Sequence, residues 1–146
     1  MFKHILIPTD GSDLSNAAVV RGVQFAKEVG ARITGLTVSP PYRYLPSYSS
    51  MQFSQSEERY AEDVRHNTQR NLQTIQDQAE ALGVPCNLVT HESDHPHEEI
   101  VKTAEECGCD VIFMASHGRR GIRAMVMGSE TNKVLTHTKI PVLVFR

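Results

Sequence analysis

Long hydrophobic runs are missing from this chain. No stretch approaches the ~18–20 apolar residues that a membrane-spanning helix requires, so a membrane is not an expected partner. The opening run Phe2-Lys3-His4-Ile5-Leu6-Ile7 stops at Pro8. It is too short for the apolar region of a secretory signal, and no cleavage-like site follows it. Cysteine is scarce too: Cys86, Cys107 and Cys109 make an odd number without framework spacing. Cys107-Gly-Cys109 is not the C-x-x-C of a redox pair, so a reducing cytoplasm and unreactive thiols are expected. An excess of one charge is also lacking. The formal net charge is −2, which gives no bulk electrostatic reason to expect nucleic acid as a partner.

Several catalytic signatures are absent. No G-x-x-x-x-G-K-[ST] loop is present, and no G-x-G-x-x-G follows the first strand. Ser12 and Ser129 lack the G-x-S-x-G setting of a serine hydrolase, which leaves both as helix-cap candidates. His91, Asp94, His95, His97 and Glu98 cluster, but no distant Cys or His completes a zinc spacing. No dedicated metal site is expected.

What remains is an alternating pattern. With 146 residues, 40% hydrophobic and 22% charged, the chain reads as one soluble domain, 1–146. Short strand-like runs cover Lys3–Ile7, Ile33–Val38, Asn87–His91, Val111–Ala115 and Val142–Phe145. Between them lie helical patterns. Ser12 or Asp13 caps the first, whose inner face reads Leu14, Ala17, Ala18, Phe25, Ala26 and Val29 before Gly30. The second runs from about Glu57 to Leu82 with Tyr60, Val64, Leu72, Ile75, Ala79 and Leu82 on one stripe. The third has Pro96 near its start and ends at Gly108, and the fourth spans about Ser129 to His137. Strict alternation predicts an α/β fold with a parallel sheet and helices on both faces. The continuous apolar strand Val111–Ala115 fits cover on both sides. Ser39 to Gln55 holds three prolines, five serines and three tyrosines without a period. It reads as a surface excursion, or as a docking lid using Tyr42, Tyr44, Tyr48 or Phe53.

Ligands of open α/β sheets sit beyond the carboxyl ends of strands where the winding reverses. Two loops there are rich in glycine and polar groups: Pro8-Thr9-Asp10-Gly11-Ser12, and Ser116-His117-Gly118-Arg119-Arg120-Gly121 continuing to Gly128-Ser129-Glu130-Thr131. In the second, Gly118, Gly121 and Gly128 permit close backbone approach and positive φ. Ser129 begins a helix, whose N–H groups and dipole favour an anion. Arg119, Arg120 and Arg123 add positive charge. Phosphate binding is one reading; ordinary turns with solvated arginines are the other.

The chain resembles the universal stress proteins along its whole length. The resemblance rests on Ile5-Leu6-Ile7-Pro8-Thr9-Asp10-Gly11-Ser12, on Cys109-Asp110-Val111-Ile112-Phe113-Met114-Ala115-Ser116-His117-Gly118-Arg119, and on Gly128-Ser129 with Ile140-Pro141-Val142-Leu143-Val144. ATP-binding members carry G-x-x-G, nine residues, then G-[ST]. Here Ala115-Ser116-His117-Gly118, nine residues and Gly128-Ser129 keep that spacing, with alanine for the first glycine. The resemblance implies a single open five-stranded parallel sheet of order 3-2-1-4-5, the adenine nucleotide alpha hydrolase-like arrangement. It implies ATP, with magnesium as its companion ion, held between the loops after strands one and four. Asp10 would meet the ribose, while Pro8, Thr9 and Val38 line the adenine. Gly118, Arg119, Gly128, Ser129 and Thr131 would surround the phosphates, and Met114, Ala115, His117 and Glu130 complete the candidate set. Ala115 fits only with negative φ and a ligand that does not press on its Cβ. The Glu130 carboxylate either competes with phosphate at the helix start or helps hold magnesium, as Asp10 would.

No general base stands beside Asp10 and Arg119, so binding with little turnover is expected, below ~1 s⁻¹. In the implied order, Val142, Leu143, Val144 and Phe145 form an uncharged sheet edge. They predict a homodimer about a two-fold axis. The chain is thus expected to be an ATP-binding stress-response factor, or else a dimeric interaction module of the same fold that binds no nucleotide.

Overall fold

Glycines and prolines punctuate the chain into β1 (His4–Pro8), α1 (Asp13–Val29), β2 (Arg32–Ser39), α2 (Glu57–Leu82), β3 (Cys86–Glu92), α3 (Pro96–Glu106), β4 (Val111–Ala115), α4 (Ser129–His137) and β5 (Val142–Phe145). These come from a computed structural model that describes residues 1–42, 56–118 and 127–146. The strands form one parallel sheet of order β3-β2-β1-β4-β5. The expected fold class and strand order are borne out.

Three helices stop in the same way. Gly30, Gly83 and Gly108 lie at φ +69°, +65° and +66°. The residue after each glycine reaches back, as in Ala31 N–H to Ala26 C=O at 2.9 Å. This is a Schellman termination, which an L side chain at the glycine would strain.

Alternation along the strands divides the core. Ile5, Ile7, Ile33 and Val111 pack with Val19, Val23, Ile75 and Ala79 of α1 and α2. On the opposite face Leu6, Leu36, Ile112 and Met114 pack with Ile100, Ala104 and Val134 of α3 and α4. Burial on two faces explains why β4 does not alternate in polarity. Gly22 lets α1 lie close over β1 and β4: a Cβ there would stand 2.8 Å from Ile7 Cδ1 and 3.1 Å from Phe113 Cδ1.

The helix faces differ in part from the apolar pattern. The buried positions of α1 are Ser15, Ala18, Val19, Gly22, Val23 and Ala26, whereas Leu14, Ala17, Phe25 and Val29 are half-buried. On α2, Asn71 is buried and Leu72 half-buried. In both helices a polar residue takes a core position that a search for apolar spacing passes over. Of the stretch from Ser39 to Gln55, residues 43–55, with Tyr44, Tyr48 and Phe53, lie outside the described residues. Tyr42 packs on Tyr60 of α2 with ring centroids 5.3 Å apart.

Candidate functional site

The site starts from one proline. Lys3 C=O receives Arg32 N–H, His4 C=O receives Asp110 N–H, and Thr9 N–H donates to Leu36 C=O. Odd-numbered residues of β1 therefore turn to β2 and even-numbered ones to β4. Pro8 is turned to β4 and has no N–H to give. The β1–β4 pairing consists of Ile5↔Val111 and Leu6↔Ile112, while the β1–β2 pairing continues to Pro8↔Leu36. The two central strands part at their carboxyl ends, where the winding reverses.

The loop after β1 is a dense local network. Thr9 is 5% exposed, and its Oγ1 accepts from Ser15 Oγ–H at 3.0 Å and from Gly11 N–H at 3.2 Å. Asp10 N–H donates to Ser15 Oγ, and Asp10 Oδ1 accepts from Ser12 N–H at 3.0 Å. Ser12 caps α1 by accepting from Ser15 N–H. That settles the cap on Ser12 rather than Asp13.

The loop after β4 meets it. The Asp10 carboxylate lies against Gly118, in the place a Cβ at residue 118 would take. Gly128 N–H donates to Ser116 C=O at 2.7 Å. A Cβ on Gly128 would stand 2.8 Å from that carbonyl oxygen and 3.2 Å from His117 Cα. Gly118 and Gly128 are thus required by close approach and not by positive φ, which among the described residues of these loops only Gly11 has. Ala115 has the negative φ it requires, since no described non-glycine residue has positive φ. Its carbonyl accepts from Thr131 Oγ1–H at 2.9 Å, and Met114 beside it is buried in the α3–α4 face of the core. His117 Nδ1 lies 2.9 Å from Ser116 Oγ. Val38, near the end of β2, borders the same core face. Arg119, Arg120, Gly121 and Arg123 lie outside the described residues.

The N-cap residue of α4 supplies no side-chain cap. Gly128, not Ser129, is its N-cap, because glycine alone fits against Ser116 and His117, and Ser129 takes the first helical position. The first intrahelical bond runs from Asn132 N–H to Gly128 C=O. The N–H groups of Ser129, Glu130 and Thr131 precede it and point out of the helix start.

Glu130 turns away from that helix start. Its Oε2 accepts from His97 N–H and His97 Nδ1–H, both at 3.0 Å, and its Oε1 accepts from Lys133 Nζ at 3.0 Å. Burial works to raise this carboxyl, but Lys133 and His97 outweigh it and hold the pKa below the usual range. His91 pairs loosely with Glu99 at 3.9 Å. Among the described residues no group of three or more His, Cys, Asp or Glu is arranged to hold a metal.

A second cleft, of about 730 Å³, lies at the opposite end of the sheet beside Lys3, Lys27, Arg32 and Asp110. Its cations surround three helix C-termini, where positive charge is electrostatically matched. It is remote from the strand reversal.

The Universal stress protein family matches residues 1–146. The chain is 32% identical over 148 residues to universal stress protein MJ0531 of Methanocaldococcus jannaschii, covering 100% of this chain and 83% of that one. It is similar in structure to MJ0577 of the same organism, with a TM-score of 0.79 and 28% identity over 99% of this chain and 96% of that one. A universal stress protein solved in complex with cAMP shares the fold at TM-score 0.73 and 22% identity, over 99% and 97% of the two chains. With the family match spanning every residue, this protein belongs to the universal stress protein family.

Proposed function

We propose that this protein binds ATP in the crevice between the loops after β1 and β4, and acts in the cytoplasm as a nucleotide-dependent stress-response factor rather than an enzyme. The observation that carries the reading is the seat of Asp10 against Gly118, beside a helix whose N-cap is a glycine and so offers its first N–H groups no side-chain acceptor of its own. A carboxylate at that point accepts from ribose hydroxyls. The start of α4 supplies donors and a positive dipole end to phosphate.

Seven more of the candidates then have a defined part. Pro8 opens the crevice and, with Val38, offers apolar surface to adenine. Thr9 serves as a wall of the crevice, because its hydroxyl is engaged by Ser15 and Gly11, its N–H by Leu36 C=O and its carbonyl by Thr37 Oγ1–H. Thr131 likewise has its hydroxyl on Ala115 C=O, so its N–H is what it offers to phosphate. Gly118 admits the Asp10 carboxylate and Gly128 lets the start of α4 close on Ser116 and His117, and Arg119 adds charge. Magnesium arrives with the nucleotide. The cAMP complex of a fold relative supports adenine nucleotide as the ligand class.

β5 supplies the partner surface of the proposal. Ile112 N–H and Ser116 N–H bond to the carbonyls of Pro141 and Phe145, so the backbone groups of Val142 and Val144 face outward. Leu143 is 37% exposed. An apolar edge of this kind fits antiparallel pairing with a second copy.

Boiling the purified protein and assaying the supernatant tests the ligand. ATP, ADP or AMP is expected there, and steady-state hydrolysis should stay below about 1 s⁻¹. An empty supernatant together with no saturable binding of Mg-ATP would overturn the reading in favour of a nucleotide-free dimeric module.

A further inference from the structure

One polar side chain of α2 reaches this site from outside the two loops. The buried positions of α2 are Asn71, Ile75 and Ala79, so a carboxamide holds the first place in an otherwise apolar row. Burying an amide costs free energy unless something is gained by it, and Asn71 is only 7% exposed. Its carboxamide lies against Gly11. The oxygen takes the place a Cβ at residue 11 would need, with Nδ2 3.1 Å from the same point. Gly11 has φ +77°, a region that favours glycine.

Gly11 is fastened on other sides as well. Its N–H donates to Thr9 Oγ1 at 3.2 Å, and its carbonyl accepts from Asn16 Nδ2 at 3.4 Å. Asp10 precedes it, with its carboxylate on Ser12 N–H and against Gly118. A line of contacts runs from α2 through Gly11 to Asp10 and across the crevice.

We infer that Asn71 is a positioning residue for the nucleotide site: by seating Gly11 it fixes the direction of the Asp10 carboxylate, and with it the preference for a ribose that carries its hydroxyls. The inference rests on the adenine-nucleotide reading of the crevice and extends that site to a third element. A leucine at 71 makes the row apolar throughout with a side chain of similar length, but its methyl groups are bulkier than the amide atoms and press on Gly11.

Calorimetric titration of the parent, Asn71→Leu, Asp10→Asn and the double variant with Mg-ATP and with Mg-2′,3′-dideoxy-ATP tests this. Asn71→Leu should lose about tenfold in affinity for ATP and less than about twofold for the dideoxy nucleotide. In the Asp10→Asn background it should cost nothing further. Equal losses for both nucleotides, or no loss for either, would overturn the positioning role while leaving ATP binding by the parent intact. A parent that binds no ATP overturns both. Should Asn71→Leu lack a cooperative melting transition, Asn71→Ala, which removes the carboxamide without adding bulk, takes its place in the same comparison.

Discussion

Glu130 caps a helix that is not its own. Its Oε2 accepts from His97 N–H and from His97 Nδ1–H, each at 3.0 Å. Pro96 occupies the first position of α3, and no side chain from α3's own end caps that helix. A carboxylate brought from α4 satisfies donors there and meets the positive end of the α3 dipole. The same bond removes a negative charge from the start of α4, where phosphate would sit. Of the two roles open to Glu130 at the helix start, competitor or magnesium ligand, the geometry favours neither.

Glu130→Ala should therefore lower stability by about 1 kcal/mol, the usual size of a lost N-cap. Glu130→Gln should lose less, because the amide oxygen still accepts from His97 N–H. Urea denaturation of the three proteins measures this. Equal stability of all three would contradict the cap.

Acid should weaken the fold in two stages. Burial, aided by Arg32, lowers the His4 pKa from 6.5, while Asp110 opposes the shift. The unfolded chain then binds the proton more readily, so stability falls as pH drops through about 6.5 toward the folded value. Asp110 and Glu130 follow lower down. Burial works to raise the Asp110 carboxyl, but the N–H groups of Lys3 and His4 outweigh it and lower its pKa. With both carboxyls depressed, their stabilisation is lost as pH falls below the ordinary carboxylate range. In denaturation at pH 7.5 and 5.5, His4→Gln should show a smaller loss between the two than the parent. An equal loss would assign the first stage to another group.

The two site glycines should separate stability from binding. At Gly128 an added methyl meets the backbone of Ser116 and His117, which cannot yield cheaply, so Gly128→Ala should cost about 1–3 kcal/mol. At Gly118 it meets the movable end of Asp10. Gly118→Ala should keep nearly all of the stability and lose most of the ATP affinity. Thermal melting beside nucleotide titration checks both, and a reversed ranking would contradict the geometry.

Light scattering at micromolar concentration should report a dimer. Val144→Pro removes an N–H on the outward side of β5 and should give a monomer with little change in the sheet, since that group does not face β4. A monomeric parent would remove β5 from the account.

The element order was legible because strands and helices differ in the period of their apolar residues, and Gly30, Gly83 and Gly108 mark helix ends chemically. The winding order needed the family resemblance, since alternation alone fixes parallel strands and not their neighbours. The loops after β1 and β4 were legible from glycine and polar content. Three features were hidden. Asn71 is a polar residue in a core row, invisible to hydrophobic periodicity; the glycine of the loop it abuts, Gly11, was the one signal. Glu130 and His97 are 33 residues apart, and their contact exists only once α3 and α4 lie side by side. Gly118 and Gly128 serve close approach, which sequence cannot distinguish from a left-handed turn.

The most direct test of the central claim is calorimetric titration of the protein with Mg-ATP, beside Gly118→Val. The account predicts saturable binding of one nucleotide per chain by the parent and none by the variant, whose branched side chain would displace Asp10 and fill the crevice. Absence of binding by the parent, or unchanged affinity in Gly118→Val, would contradict it.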